Sequence, residues 1–224
     1  MNKRQITYSF LVALVLTLLS IFFFDQPIAA CVQRTGGRES VILQQGTLWL
    51  EVASGFPIHR YFLTYLLLGA SALLFISKST RPIAWMLLFV ACTHLVIRLT
   101  GGTLKNVFYR LRPFEVIEAG NWDWKFFGAR GSSFPSGHGA HFWGLFFPLA
   151  FLFPRYWIPL LILPLFISVA RVGVNDHWCS DVLASAALAA LLTLAFIWLF
   201  RMKTAPSASS SPARAIDENA RDQV

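Results

Sequence analysis

Six side chains, in three short runs, are of the types that hold and cleave a phosphate. They are Lys105 and Arg112, then His138 closing Pro135-Ser136-Gly137-His138, then Arg171, His177 and Asp181. Lysine and arginine neutralise phosphate oxygens, and the planar guanidinium fork meets two of them at once. His177 and Asp181 are four residues apart. At a helix start that spacing lets the carboxylate hold one imidazole nitrogen, fix the tautomer and leave the other nitrogen as a nucleophile. Ser136 and Gly137 precede an apolar run, so the backbone N–H groups there open a helix, where unpaired donors and the positive dipole end receive anions. Gly137 lets a phosphate approach the backbone, Ser136 adds a hydroxyl donor, and His138 is placed to donate a proton.

Each run also has a plainer explanation. Lys105 and Arg112 could be bases at a helix end that reach for lipid headgroups. Ser136 with His138 could be a cap beside an interfacial imidazole, and the run from Arg171 to Asp181 a loop stabilised by its own cap. Lys105 and Arg112 are seven residues apart, so a helix through both sets them on one side about two turns apart, and Pro113 ends that helix at Arg112. What decides between the explanations is whether the chain brings the three runs together.

Of the 224 residues, 56% are hydrophobic and 13% charged, whereas about a quarter are charged in soluble domains. The chain therefore reads as an integral membrane protein of the all-α class. The net charge of +8 comes without zinc spacing or an aromatic-interleaved basic patch, so nucleic acid is not the partner it indicates. Six apolar segments read as transmembrane helices: 6–24, 61–76, 83–104, 138–153, 157–170 and 181–200. A polar stretch over 25–60 reads as a loop, with an amphipathic piece near Val41 to Val52 lying along the surface. The run Ile28-Ala29-Ala30-Cys31 has the form of a lipoprotein cleavage box, but Asp25 and Pro27 interrupt the apolar segment such a signal needs, so the first span is read as retained. In the loop between Pro113 and Pro135, the rings of Trp122, Trp124, Phe126 and Phe127 suit the headgroup layer. Residues 1–203 form one domain, and the Ser-, Ala- and Pro-rich tail 204–224 reads as disordered.

Six spans put both termini on one side. Basic residues divide evenly between the two sets of loops, and setting aside Lys105, Arg112 and Arg171 as ligands tips the excess toward the terminal side. The termini are then cytoplasmic, and all three runs fall on the external face of the cytoplasmic membrane.

Taken together, Lys105, six residues, Arg112-Pro113; Pro135-Ser136-Gly137-His138; and Arg171, five residues, His177, three residues, Asp181 resemble the type 2 phosphatidic acid phosphatase superfamily, which includes acid phosphatases and vanadium haloperoxidases. The resemblance covers residues 105–181 in motif terms and, through the six-span layout, most of the chain. It implies a membrane lipid phosphatase in which His177 attacks phosphorus and forms a phosphohistidine, Asp181 orients His177, and His138 protonates the leaving oxygen. Lys105, Arg112, Ser136, Gly137 and Arg171 would bind the phosphate. No cofactor or metal is called for. The substrate implied is a phosphate monoester or pyrophosphate of a lipid, such as undecaprenyl pyrophosphate, phosphatidylglycerophosphate, phosphatidic acid or lipid A. A lipid phosphotransferase using the same site remains open, as does, further off, a transporter or scaffold. One departure from the pattern is Ala170, which stands where the superfamily usually has a serine; the missing hydroxyl removes a hydrogen bond worth about 1 kcal/mol.

Other residues invite less. His141 lies one turn after His138, but an HxxH pair without a third ligand makes a poor metal site, so it reads as packing or support. Arg98, seven residues before Lys105, is an intramembrane cation and so a candidate for contact with the site, provided Gly101-Gly102 does not bend the helix. Cys31, Cys92 and Cys179 show neither zinc nor disulfide spacing. The sequence leaves the oligomeric state open.

Overall fold

The computed structural model describes residues 1–120, 127 and 130–202, and all regular structure among the described residues is helical. The tail over 204–224 and the rings of Trp122, Trp124 and Phe126 lie outside the described residues.

Helix α1, Lys3–Leu19, starts on a reciprocal cap: Asn2 accepts from the Gln5 amide at 2.9 Å while Gln5 accepts from the Asn2 amide at 2.8 Å. A π turn over Ser20–Phe24 then leads directly into α2, Asp25–Arg34. The first helical segment thus runs for 32 residues instead of stopping at Phe24. The polar residue expected to end it, Asp25, is buried and paired, which removes the reason to stop there. A 3-10 turn over Gly37–Glu39 precedes α3, Val41–Ala53, so much of the expected loop over 25–60 is helical.

Helix α4, Phe62–Leu74, packs on α5, Arg81–Phe108, where Ser71 donates to the Ala84 carbonyl at 2.9 Å. Helix α5 passes through Gly101-Gly102 without a break and ends at Tyr109, whose φ of 49° lies in the left-handed region. A single-turn helix, α6, spans Pro113–Glu118. Helix α7, Gly137–Leu152, is central and packs on α5, on α8, Trp157–Gly173, and on α9, Cys179–Leu199. Small residues permit this close approach: a Cβ on Gly139 would lie 2.8 Å from Ser185, and one on Gly144 would lie 3.2 Å from Ile97. Buried Ala186, Ala187, Ala189 and Ala190 do the same on α9, which also receives α1. Phe89, Ile97, Phe147, Phe151 and Ile197 fill the core of this bundle.

Among the described residues, four helical segments are long and apolar enough to cross a membrane: Lys3–Arg34, Arg81–Glu118, Pro154–Gly173 and Cys179–Leu199. They coincide with the first, third, fifth and sixth expected spans. The second and fourth correspond to α4 and α7, of 13 and 16 residues.

Helix α3 and the turn before it sit against the C-terminal half of α8 through three glycines. A Cβ on Gly46 would lie 2.5 Å from the Phe166 ring, one on Gly173 2.6 Å from Leu43, and one on Gly37 2.5 Å from the Gly173 carbonyl oxygen. This seating carries the α3 side chains to the mouth of the central helix α7.

Candidate active site

Asp181, in the first turn of α9, is the hub. Its Oδ2 accepts from His177 Nδ1 at 3.1 Å, from the Trp178 amide at 3.0 Å and from the Ser133 hydroxyl, while its Oδ1 accepts from Arg110 Nη1 at 2.7 Å. Nothing of the carboxylate reaches solvent. With Nδ1 committed to this side, the His177 tautomer is set and Nε2 is the nitrogen left for chemistry. Burial lowers the His177 imidazole to about 3, against the pull of Asp181; the positive charges of Lys105 and Arg171 add to the lowering. His177 is therefore neutral at physiological pH, the state a nitrogen nucleophile requires.

The cations gather as the motif spacing anticipated, although Arg112 does so by another route. Helix α5 stops four residues before Arg112, which is extended at ψ 157° as the residue before Pro113 must be. Lys105 and Arg112 thus do not share a continuous helix. Lys105 Nζ donates to the carbonyls of Ser132 and Ser133, the latter at 3.3 Å, and its Cε passes 3.7 Å from where a Cβ would stand on Gly137. Arg112 adds to the positive field at both Lys105 and Arg171. Its backbone amide is capped by Glu115 at 2.6 Å, and among the described residues its guanidinium has no hydrogen-bond partner. Arg171 pairs with Asp176 at 2.6 Å, and its buried Nε lacks a partner among the described residues.

Ser136 caps α7, accepting from the Gly139 amide at 3.2 Å. Its own amide is taken by the Asp181 carbonyl at 3.0 Å, so the open donors of the first turn are those of Gly137 and His138. The Ser136–Asp181 bond joins the second and third motifs directly. Arg98 supports the same turn, donating to the Gly137 carbonyl at 2.9 Å and to the Arg60 carbonyl at 3.0 Å. His138 is stacked on Phe56, ring centres 5.2 Å apart, and its Nε2 is in close contact with Glu51 Oε1. The hydrogen bond to His138 lowers the Glu51 carboxyl below its usual range, despite partial burial.

Four contributors were not anticipated from sequence. Arg110 joins two carboxylates, bonding Asp25 through Nη2 at 2.7 Å as well as Asp181, and it also reaches the Ser180 hydroxyl at 2.7 Å. Asp25 accepts in turn from the Ser180 amide at 2.9 Å. Ser133 supports Asp181, and Glu51 faces His138. Asp25 carried the clearest signal, an acid inside an apolar run; Arg110 sits within the first motif, and Glu51 is the one acid of the amphipathic piece. His141 belongs to a separate buried chain, with His94 Nε2 at 3.1 Å from His141 Nδ1 and Thr64 at 2.8 Å from His94 Nδ1. Ala170 is fully buried, and the three cysteines are unbridged.

Comparison with known proteins finds relatives along most of the chain. The chain is 28% identical to a lipid A 1-phosphatase of Rhizobium etli over 182 residues, covering 79% of this chain and 77% of the relative. It is also 28% identical to a lipid A 1-phosphatase of Rhizobium johnstonii over 189 residues, covering 82% of this chain and 76% of the relative. No solved structure matches. The sequence profile described as the PAP2 superfamily matches residues 82–205, more than half of the chain and every motif run: the chain belongs to the PAP2 superfamily.

Proposed function

We propose that the chain is a membrane lipid phosphatase that hydrolyses a phosphate monoester or pyrophosphate of a lipid through a phosphohistidine on His177. The observation that carries this reading is the hold of Asp181 on His177 Nδ1 at 3.1 Å, which leaves Nε2 free beside the charges of Lys105 and Arg171. Nε2 attacks phosphorus, the bond to the leaving oxygen breaks, and His138 gives that oxygen its proton. Water then attacks the phosphohistidine, returns a proton to His138 and frees phosphate. Lys105, Arg112 and Arg171, the Ser136 hydroxyl and the amide of Gly137 offset the charge that spreads over the equatorial oxygens, the main catalytic demand of phosphoryl transfer. Lipid A is the first substrate to try, since both relatives carry that name.

Outside the site, the excess of basic residues lies on the side of the termini and the turns at Lys78, Arg81 and Arg155, which supports cytoplasmic termini and a site on the external face of the cytoplasmic membrane. The decisive assay is phosphate release by the purified chain with EDTA present. Activity with a base-stable, acid-labile phosphoprotein intermediate, both absent in His177→Ala, is the expected result; an intermediate that survives that substitution refutes the assignment. For sidedness, a cysteine placed at Ala119 should react with an impermeant maleimide in intact spheroplasts, and labelling only after lysis overturns the external site.

A further inference from the structure

Arg98 is a cation inside a span, and the phosphatase reading gives it no part. It lies three residues before Gly101 and seven before Lys105, so the three share one face of α5. That face meets the opening of α7: a Cβ on Gly101 would stand 3.6 Å from Ala140 and 3.9 Å from Pro135. Lys105 reaches the carbonyls of Ser132 and Ser133, ahead of the Pro135-Ser136-Gly137-His138 run, and Arg98 reaches the Gly137 carbonyl within it at 2.9 Å. Two basic residues of one helix thus bracket the run.

A charge within a span is costly unless it is met, and Arg98 meets it inward, not among lipid headgroups. Its other terminal nitrogen donates to the Arg60 carbonyl at 3.0 Å, and its guanidinium carbon lies 5.0 Å from the centre of the Phe56 ring and 5.7 Å from that of Tyr61. Among the described residues it pairs with no carboxylate. Its charge is therefore directed at the backbone.

The Gly137 carbonyl and the His138 N–H belong to one peptide unit. Amide resonance links the oxygen to the nitrogen, so a cation bonded to the oxygen draws electron density toward it and makes the N–H a stronger donor. That N–H is one of the two open donors at the start of α7. A neutral side chain would satisfy the carbonyl equally well, but only a cation adds the polarisation. We propose that Arg98 is a positioning residue for phosphoryl transfer, which holds and polarises the Gly137–His138 peptide so that its N–H meets the charge developing on an equatorial oxygen. The proposal rests on the phosphatase reading above and adds to it a residue outside the three motif runs.

The test uses the full chain in mixed micelles, with whichever of lipid A and phosphatidic acid it hydrolyses faster. Arg98→Lys keeps a cation and Arg98→Gln keeps an uncharged N–H donor. Neither reproduces the planar fork to both carbonyls, so a purely structural role impairs the two alike. Arg98→Gln should lower kcat by about 10- to 100-fold, with KM changed by less than about two-fold. Arg98→Lys should lose less than about three-fold. Orthovanadate, which adopts the five-coordinate geometry of the transition state, should inhibit Arg98→Gln about 10-fold more weakly, whereas inhibition by inorganic phosphate should shift by less than about two-fold. Inhibition constants report only active molecules, so a loss of folded protein does not move them. Equal impairment of the two variants, equal weakening of vanadate and phosphate, or unchanged turnover in Arg98→Gln overturns the positioning role, while wild-type phosphate release keeps the phosphatase reading in place. If Arg98→Gln does not fold, Arg98→Lys decides: vanadate inhibition close to wild type supports the role, and a weakening of about 10-fold overturns it. Inactivity of the wild type on every lipid phosphate overturns both readings.

Discussion

Replacing Glu51 with glutamine isolates one proton. The Glu51–His138 contact is a charge-assisted hydrogen bond, and a bond of that kind contributes about 1.5–3 kcal/mol. Phe56 stacks on the imidazole at 5.2 Å and holds the ring after the carboxylate charge is gone, so Glu51→Gln removes the charge and little else. If Glu51 stabilises the imidazolium that protonates the leaving oxygen, kcat/KM falls about 10- to 150-fold for alkyl phosphates, since about 1.4 kcal/mol is a factor of ten. An aryl phosphate with an acidic phenol needs no proton to depart, so its hydrolysis should fall by less than about three-fold. The assay is a series of soluble phosphate esters graded by leaving-group pKa, run on both proteins. The slope of log kcat/KM against that pKa should steepen in the variant. A uniform loss across the series would show that Glu51 supports the fold and not the proton transfer, and the reasoning would fail.

Asp25→Ala removes a buried carboxylate that Arg110 Nη2 and the Ser180 amide both bond, while Arg110 keeps Asp181, so the loss belongs at the low end for a broken buried pair, about 3 kcal/mol; unchanged thermal unfolding in detergent would refute it. Gly131→Ala places a Cβ 2.2 Å from the Arg110 carbonyl oxygen, forcing apart the backbone pairing that holds Ser133 on Asp181, and phosphate release should drop at least about ten-fold; near-wild-type turnover would count against that positioning. Because folding lowers the His177 pKa from 6.5 to about 3, the unfolded chain binds a proton there that the folded chain refuses. Stability is full above about pH 6.5 and declines as pH falls toward 3, with a slope from this group of up to about 1.4 kcal/mol per pH unit. His177→Ala should be less acid-sensitive over that window, measured by unfolding at pH 7 and pH 4.5, and an identical pH dependence would argue against a buried neutral imidazole.

The residues proposed to meet phosphate could be read from sequence because each lies in a short run whose spacing encodes its geometry. His177 and Asp181 are one turn apart, and Ser136 with Gly137 stands at the start of an apolar segment, so local rules reach them. The supporting groups act across long sequence separations, and no local rule does. Asp25 finds Arg110 and Ser180 only because α1 runs alongside α9, and Glu51 finds His138 only because three glycines seat α3 on α8. An acid in an apolar run was readable as the end of a helix so long as its partner was unseen; paired, it continues one. Arg112 was misplaced on the helix of Lys105 for a similar reason. The effect of Pro113 on its neighbour was recognised, but the helix had already stopped at Tyr109 in a conformation that no local signal in a Phe-Tyr-Arg run announces.

Asp25 and Glu51 both precede residue 82, where the PAP2 match begins, whereas every motif residue follows it. The proposed transfer centre and the acids packed against it thus lie in separate stretches of the chain, as a blade is separate from its handle. A directed library confined to positions 25–53 would vary the acids that face His138 and Arg110 while every motif residue stays untouched.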